Sequence, residues 1–131
     1  MKQFQTAYSG ETAFRAAVSE WTARQDTGAV LIHLFSDGAE ESEIAAARTV
    51  IEEMMPDAVY VGSSASGCIY DGGVSTEKLV ISCTVFEKPD SFACPRFFPM
   101  DKGELSSFRD DLRKCMTDLQ GVKGVEVITT I

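Results

Sequence analysis

The stretch from Ala29 to Gly62 constrains the fold more than any other part of the chain. It opens with AVLIHLF, Ala29 to Phe35, a nearly continuous apolar run of the kind that forms a strand covered on both faces. SDGAEESEIAAARTVIEEMMP follows. Ser36 or Asp37 is placed to cap a helix, and Glu40, Glu41 and Glu43 fall in its first turns, where the helix dipole favours negative charge. Ile44, Ala47, Ile51 and Met54 share one helical face, and Pro56 forbids continuation. AVYVG, Ala58 to Gly62, is the next strand. The spacing predicts a strand–helix–strand unit with parallel strands and a crossover helix.

The flanking segments predict antiparallel additions to that unit. A strand over about Gln3 to Tyr8 leads to Ser9 as an N-cap. Phe14, Ala17, Val18 and Trp21 then line one face of a helix, with Gly28 as its stop. Glu77 to Phe86 alternates Leu79, Ile81, Cys83 and Val85 against Val80, Ser82, Thr84 and Phe86, and reads as a hairpin with Gly67 to Tyr70 across the DGG turn. SFACPRFF is a weaker strand broken by Pro95. ELSSFRDDLRKCMTDL places Leu105, Phe108, Leu112, Cys115 and Leu119 on one side of a helix that Gly121 ends, and GVEVITTI reads as a final strand. The expected class is α/β, or α+β: a mixed sheet with a parallel βαβ unit plus antiparallel strands, and helices packed on the sheet. Residues 1–131 are read as one domain, and the finish on a strand with no polar tail reads as a domain excised from a longer protein.

Composition narrows the partners. The net charge is −8 and no Lys/Arg cluster interrupts it, which argues against nucleic acid, since phosphate binding needs concentrated positive charge. The N-terminus lacks a signal-peptide core and no run approaches a membrane span, so the expected location is cytoplasmic with no membrane insertion. The four cysteines, Cys68, Cys83, Cys94 and Cys115, have no C-x-x-C spacing and read as buried thiols rather than a disulfide or zinc site.

The segment YVGSSASGCIYDGG, Tyr60 to Gly73, carries the strongest functional signal. A nucleophile elbow needs G-x-S-x-G; here Gly62, Ser64 and Ser66 fill the first, third and fifth places, so the last glycine is missing. The one histidine, His33, lies inside an apolar strand, where a packed core role is commoner than a base. Neither G-K-[ST] nor G-x-G-x-x-G occurs, so no phosphate loop is predicted. Asp37 and Asp71 are the only acids near the loop, too few to bind a metal, and no cofactor is expected. Two readings remain for the serines: satisfied turn residues, or donors and acceptors for a bound polar group. Ligands of open α/β sheets sit beyond the carboxyl ends of parallel strands, and both SDG and GSSASG occupy that position.

AVYVGSSASGCIYDGGVSTEKLVISCTVF is similar to the signature of FIST N domains, the N-terminal half of an intracellular sensory module. Upstream, TGAVLIHLFSDGAEESEIAAARTVIEEMMPDAVYVG has the same order: an apolar strand ending in Phe-Ser, a helix, then Pro-Asp-Ala leading into strand and glycine. The resemblance covers most of Ala7 to Phe86. That family's loop typically reads Gly-Cys-Ser-[Ser/Thr]-x-Gly-Glu-Ile; Gly62, Ser64, Gly67 and Ile69 match, while Ser63 replaces the common cysteine and Cys68 the common glutamate. The resemblance implies a non-catalytic domain that binds small ligands such as amino acids. It also implies a second half of the module and an output domain, such as a diguanylate cyclase (GGDEF), histidine kinase or methyl-accepting chemotaxis domain.

The expected function is therefore small-ligand sensing within a signal-transduction protein, the ligand being an amino acid or small anion. The expected ligand-binding residues are Ser36, Asp37, Gly62, Ser63, Ser64, Ser66 and Gly67, with none catalytic and none binding metal. Asp37 would cap the helix or meet an ammonium group, and Arg96 is a candidate cation. Two alternatives come from other classes. One is a small hydrolase using a loop serine or Cys68 with His33. The other is a dimerisation or scaffold domain, with SFACPRFFPM as a homodimer surface.

Overall fold

The computed structural model describes residues 1–23, 28–88, 105–118 and 121. The expected strands at SFACPRFF and GVEVITTI, together with Arg96 and Cys94, lie outside them. Internal contacts divide the chain into two units, one of Met1–Cys94 with Thr130–Ile131 and one of Pro95–Thr129.

The first unit is built on a four-stranded sheet. Its strands are β1 (Lys2–Ala7), β2 (Val30–Ser36), β3 (Val59–Ser64) and β6 (Leu79–Val85), in the order β1-β6-β2-β3. β2 and β3 are parallel and joined through α2 (Glu41–Met54), which is the crossover unit the sequence predicts; β6 runs antiparallel to both β1 and β2. The class is a mixed α+β sheet with helices packed against it.

Alternation along the strands places the core. Val30, Ile32 and Leu34 of β2, with Leu79, Ile81, Cys83 and Val85 of β6, face α1 (Glu11–Ala23) and α2. Phe14, Val18 and Trp21 of α1 and Ala47, Val50 and Ile51 of α2 complete this layer, with Met55 just past α2. Each such side chain contributes about 1.5–3 kcal/mol by leaving water. Arg15 bridges Glu11 at 2.8 Å and Glu53 at 2.5 Å, linking the two helices at the surface. Leu31, Val80 and Ser82, which point the other way, are also buried, so β2 and β6 are covered on both faces.

Several local expectations are corrected. The hairpin forms between β4 (Cys68–Tyr70) and β5 (Gly73–Ser75), not with Glu77–Phe86. Asp71 and Gly72 take φ of 51° and 75° at its turn, the paired positive angles that a two-residue hairpin loop requires. β6 is left free to enter the centre of the main sheet. Gly10 rather than Ser9 precedes α1, whose Phe14 N–H donates to the Gly10 carbonyl at 3.0 Å. Gly28 answers a close approach: a Cβ there would collide with the Phe86 carbonyl, and glycine allows the backbone leading into β2 to approach that leaving β6. The N-cap of α2 is Glu40, not Ser36 or Asp37, and Glu43 accepts the Glu40 N–H at 3.0 Å.

In the second unit the described element is α3 (Leu105–Asp118), matching the predicted helix; Leu112 and Cys115 are half-buried on it. Gly121, beyond its end, has φ of 77°.

Candidate functional site

The parallel register brings the two candidate loops together. Leu34 is level with Gly62, Phe35 with Ser63 and Ser36 with Ser64. The ladder continues one step further, where the Ala65 N–H donates to the Ser36 carbonyl at 2.8 Å. Both loops therefore leave the sheet at one edge, the carboxyl end of the parallel pair, where α/β sheets bind ligands.

Ser36 ties the loops to each other. While its carbonyl holds Ala65, its hydroxyl accepts the Ala39 N–H at 3.2 Å, fixing the turn that leads to α2. The Asp37 N–H donates to the Lys78 carbonyl at 2.7 Å, and the Asp37 side chain is exposed. Among the described residues, the hydroxyls of Ser63, Ser64 and Ser66 have no hydrogen-bond partner. Ser63 is half-buried, and the other two are exposed.

The seven predicted residues do not converge on one point. Residues level across a ladder share a face, and consecutive residues alternate. Ser64 and Ser36 therefore lie on the helix side, the side on which Tyr60 packs against the core. Ser63 lies on the opposite face with Phe35, its neighbour across the ladder. Gly62 is an ordinary strand residue: a Cβ there would make only van der Waals contact, 3.8 Å from the Leu34 carbonyl oxygen. Gly67 differs, since its φ of 116° turns the chain from the serine loop into β4.

The hydrolase alternative draws on His33, the loop serines and Cys68. His33 stacks on Phe35, ring centroids 5.6 Å apart and nearly parallel, and is level with Val61 rather than with a serine. Ser63 is level with Phe35, two residues further along the same face. Ser64 is on the other face. Cys68 is buried, with its Sγ 3.7 Å from the Phe35 carbonyl oxygen that accepts its weak hydrogen bond. Burial, and next the charge of Asp37, push its thiol pKa up, the opposite of what a reactive thiolate needs.

The same edge gathers residues that the sequence did not suggest for the site. β1 ends and β6 begins there, with the Tyr8 N–H donating to the Leu79 carbonyl at 2.9 Å. Burial raises the Tyr8 phenol pKa, and the charges of Glu11 and Glu43 raise it further, so the starts of α1 and α2 both bring acid to this rim. Asp37, Glu40 and Glu41 add to it, and the α2 dipole is met by its own carboxylates. Only the sheet order reveals this grouping, because Tyr8 and Glu11 are far from the serine loop in the chain. Among the described residues, no group of three or more His, Cys, Asp or Glu side chains is arranged to hold a metal ion, and no helix is long and apolar enough to cross a membrane.

No family model, no curated protein and no solved structure matches the chain.

Proposed function

We propose that this chain is a non-catalytic, FIST N-like sensory domain that binds a small ammonium-bearing molecule, an amino acid in the first instance, at the carboxyl edge of β2 and β3. The observation that carries the reading is the Ser36–Ser64 pair at the level ends of two parallel strands. One hydroxyl there is engaged in shaping the rim, while the other is without a protein partner, and Asp37, next along the chain after Ser36, is exposed. In this reading Ser64 and Ser66 hydrogen-bond the polar group of the ligand, Asp37 meets its ammonium, and Ser36 positions the two loops.

Charge selects between the two ligand classes expected from the sequence. A simple anion would meet Asp37, Glu40, Glu41 and Glu43 at the start of α2, with the helix dipole already matched by these acids. A zwitterion brings a positive group to the same rim. The anion is therefore the weaker candidate.

The sensory output would lie in another domain, of the diguanylate cyclase or histidine kinase kind, or in the second half of the module. Free thiols at Cys68, Cys83 and Cys115 suit a reducing, cytoplasmic setting. A thermal-shift screen of the proteinogenic amino acids against small organic anions tests the proposal, because a ligand that binds only the native state raises the melting temperature. An upward shift with an amino acid, absent for its deaminated analogue and lost in Asp37→Asn, is expected. Shifts from anions alone would overturn the ammonium assignment.

A further inference from the structure

The two edges of the four-stranded sheet are built differently. β1 carries Lys2, a charge of the kind that blunts an edge, and β4 lies against it. β3, at the other edge, runs VYVGSS with no charge and no proline, in unbroken register with β2. Among the described residues no strand pairs with its outer side. In a parallel ladder, alternate residues turn both of their peptide groups toward the same neighbour. The Ala65 N–H faces β2, so those of Val59, Val61 and Ser63 do too, and Tyr60, Gly62 and Ser64 present their N–H and C=O groups outward. Such a row is a template for another strand.

The flank above this edge is self-complementary in charge. α2 turns Glu53 to Arg15 of α1 and Glu52 to β3, where Oε1 accepts the Tyr60 hydroxyl at 2.6 Å. Arg48, one turn away, pairs with Glu52 at 3.4 Å, and both side chains are exposed. One cation and one anion on the same flank let an antiparallel second copy set its Glu52 against Arg48 and its Arg48 against Glu52, although the whole chain carries a net charge of −8. Spacing suits this too. A crossover helix lies over the strands it joins and paired strands stand about 4.8 Å apart, so two α2 helices related by an axis along the β3 edge come to about 10 Å, within helix-packing distance. We infer that β3 pairs with β3 of a second copy, antiparallel about a two-fold axis at Gly62, which makes one continuous sheet of the two. Gly62 then exchanges both hydrogen bonds with its own counterpart, and Tyr60 with Ser64, while the two α2 helices lie side by side. The pairing uses the main chain of Ser64 and not its hydroxyl, so the inference does not depend on the proposed ligand.

The test is sedimentation equilibrium of the whole protein from micromolar to millimolar concentration, where a monomer–dimer equilibrium is expected. Gly62→Pro removes the outward N–H at the axis and leaves the β2 ladder its bonds; it is expected to raise the dimer dissociation constant about tenfold or more, with circular dichroism checking its fold. Arg48→Glu sets like charges across the axis and is expected to weaken the dimer several-fold, and adding Glu52→Arg to restore it, whether or not the proline variant folds. A chain that stays monomeric at every concentration would overturn the inference, even if an extended peptide bound the edge. So would a dimer that Arg48→Glu leaves as tight as the parent, a double variant no tighter than the single one, or a folded Gly62→Pro that dimerises like the parent.

Discussion

The four-stranded sheet and the β4–β5 hairpin are neighbours in sequence and opposites in construction. β6 is buried at Leu79, Val80, Ile81, Ser82, Cys83 and Val85, whereas the hairpin turns Ile69 and Val74 outward at 72% and 90% exposure. Its inward Cys68 is buried, and the Sγ bond to Phe35 fastens it to the end of β2. A two-stranded ribbon is marginal alone, so the turn and this anchor carry much of its order. The contrast separates the roles: the sheet fixes where the strand ends lie, and the segment from Ser63 to Ser75 carries polar groups that remain available, exposed at Ser64 and Ser66.

Removing core side chains should separate the two regions most. Ile81→Ala is expected to lose about 2–5 kcal/mol of stability, because the tightly packed layer cannot close on the cavity, while Val74→Ala should stay within about 0.5 kcal/mol of the parent. Urea unfolding measures both, and a Val74→Ala cost as large as that of Ile81→Ala would erase the distinction.

Alkali should strike the sheet harder than the hairpin. Burial pushes the Cys83 thiol from its ordinary 9.0 up to about 11. A group whose folded pKa is raised binds its proton more tightly when folded, so its stabilisation is complete below the unfolded pKa and is lost as pH rises through the folded one. Stability should fall by roughly 2–3 kcal/mol between about pH 9 and 11. Cys83→Ala should remove that step, measured as the pH dependence of the urea midpoint; an unchanged step would assign the fall to another group.

The hinge between the regions should respond less. Gly67→Ala forces a side chain onto a φ of 116° and is expected to cost about 1–3 kcal/mol, with the loss confined to the hairpin. Hydrogen exchange reads this directly: faster exchange at residues 68–75 with β2 and β6 unchanged is the predicted pattern, and uniform acceleration would contradict it.

The sheet was legible in the sequence because its signals are local and mutually reinforcing. AVLIHLF announces a strand buried on both faces, Pro56 ends α2, and the length between them suits a crossover. The hairpin partner was not legible, because Glu77–Phe86 alternates well enough to suit either a hairpin or a central strand. Pairing with β1, residues 2–7, is a long-range choice that no local pattern displays. The helix caps were displaced for a related reason: Ser9, Ser36 and Asp37 are good capping residues, yet the strand ladders reach as far as Ser36, so α2 begins only at Glu41. The candidate site was legible as two loops on one rim. Its division between faces was not, because register decides it: Ser64 falls level with Ser36, and Ser63 with Phe35.

That division supplies the most direct test. The amino acid giving the largest thermal shift is titrated calorimetrically into the parent, Ser64→Ala and Ser63→Ala. Ser64→Ala should weaken binding by up to about tenfold, the loss of one hydrogen bond, with the melting temperature of the unliganded protein nearly unchanged, and Ser63→Ala should bind like the parent. Equal affinity of Ser64→Ala and the parent, or a loss confined to Ser63→Ala, would contradict a ligand seated on the helix side of the β2–β3 edge.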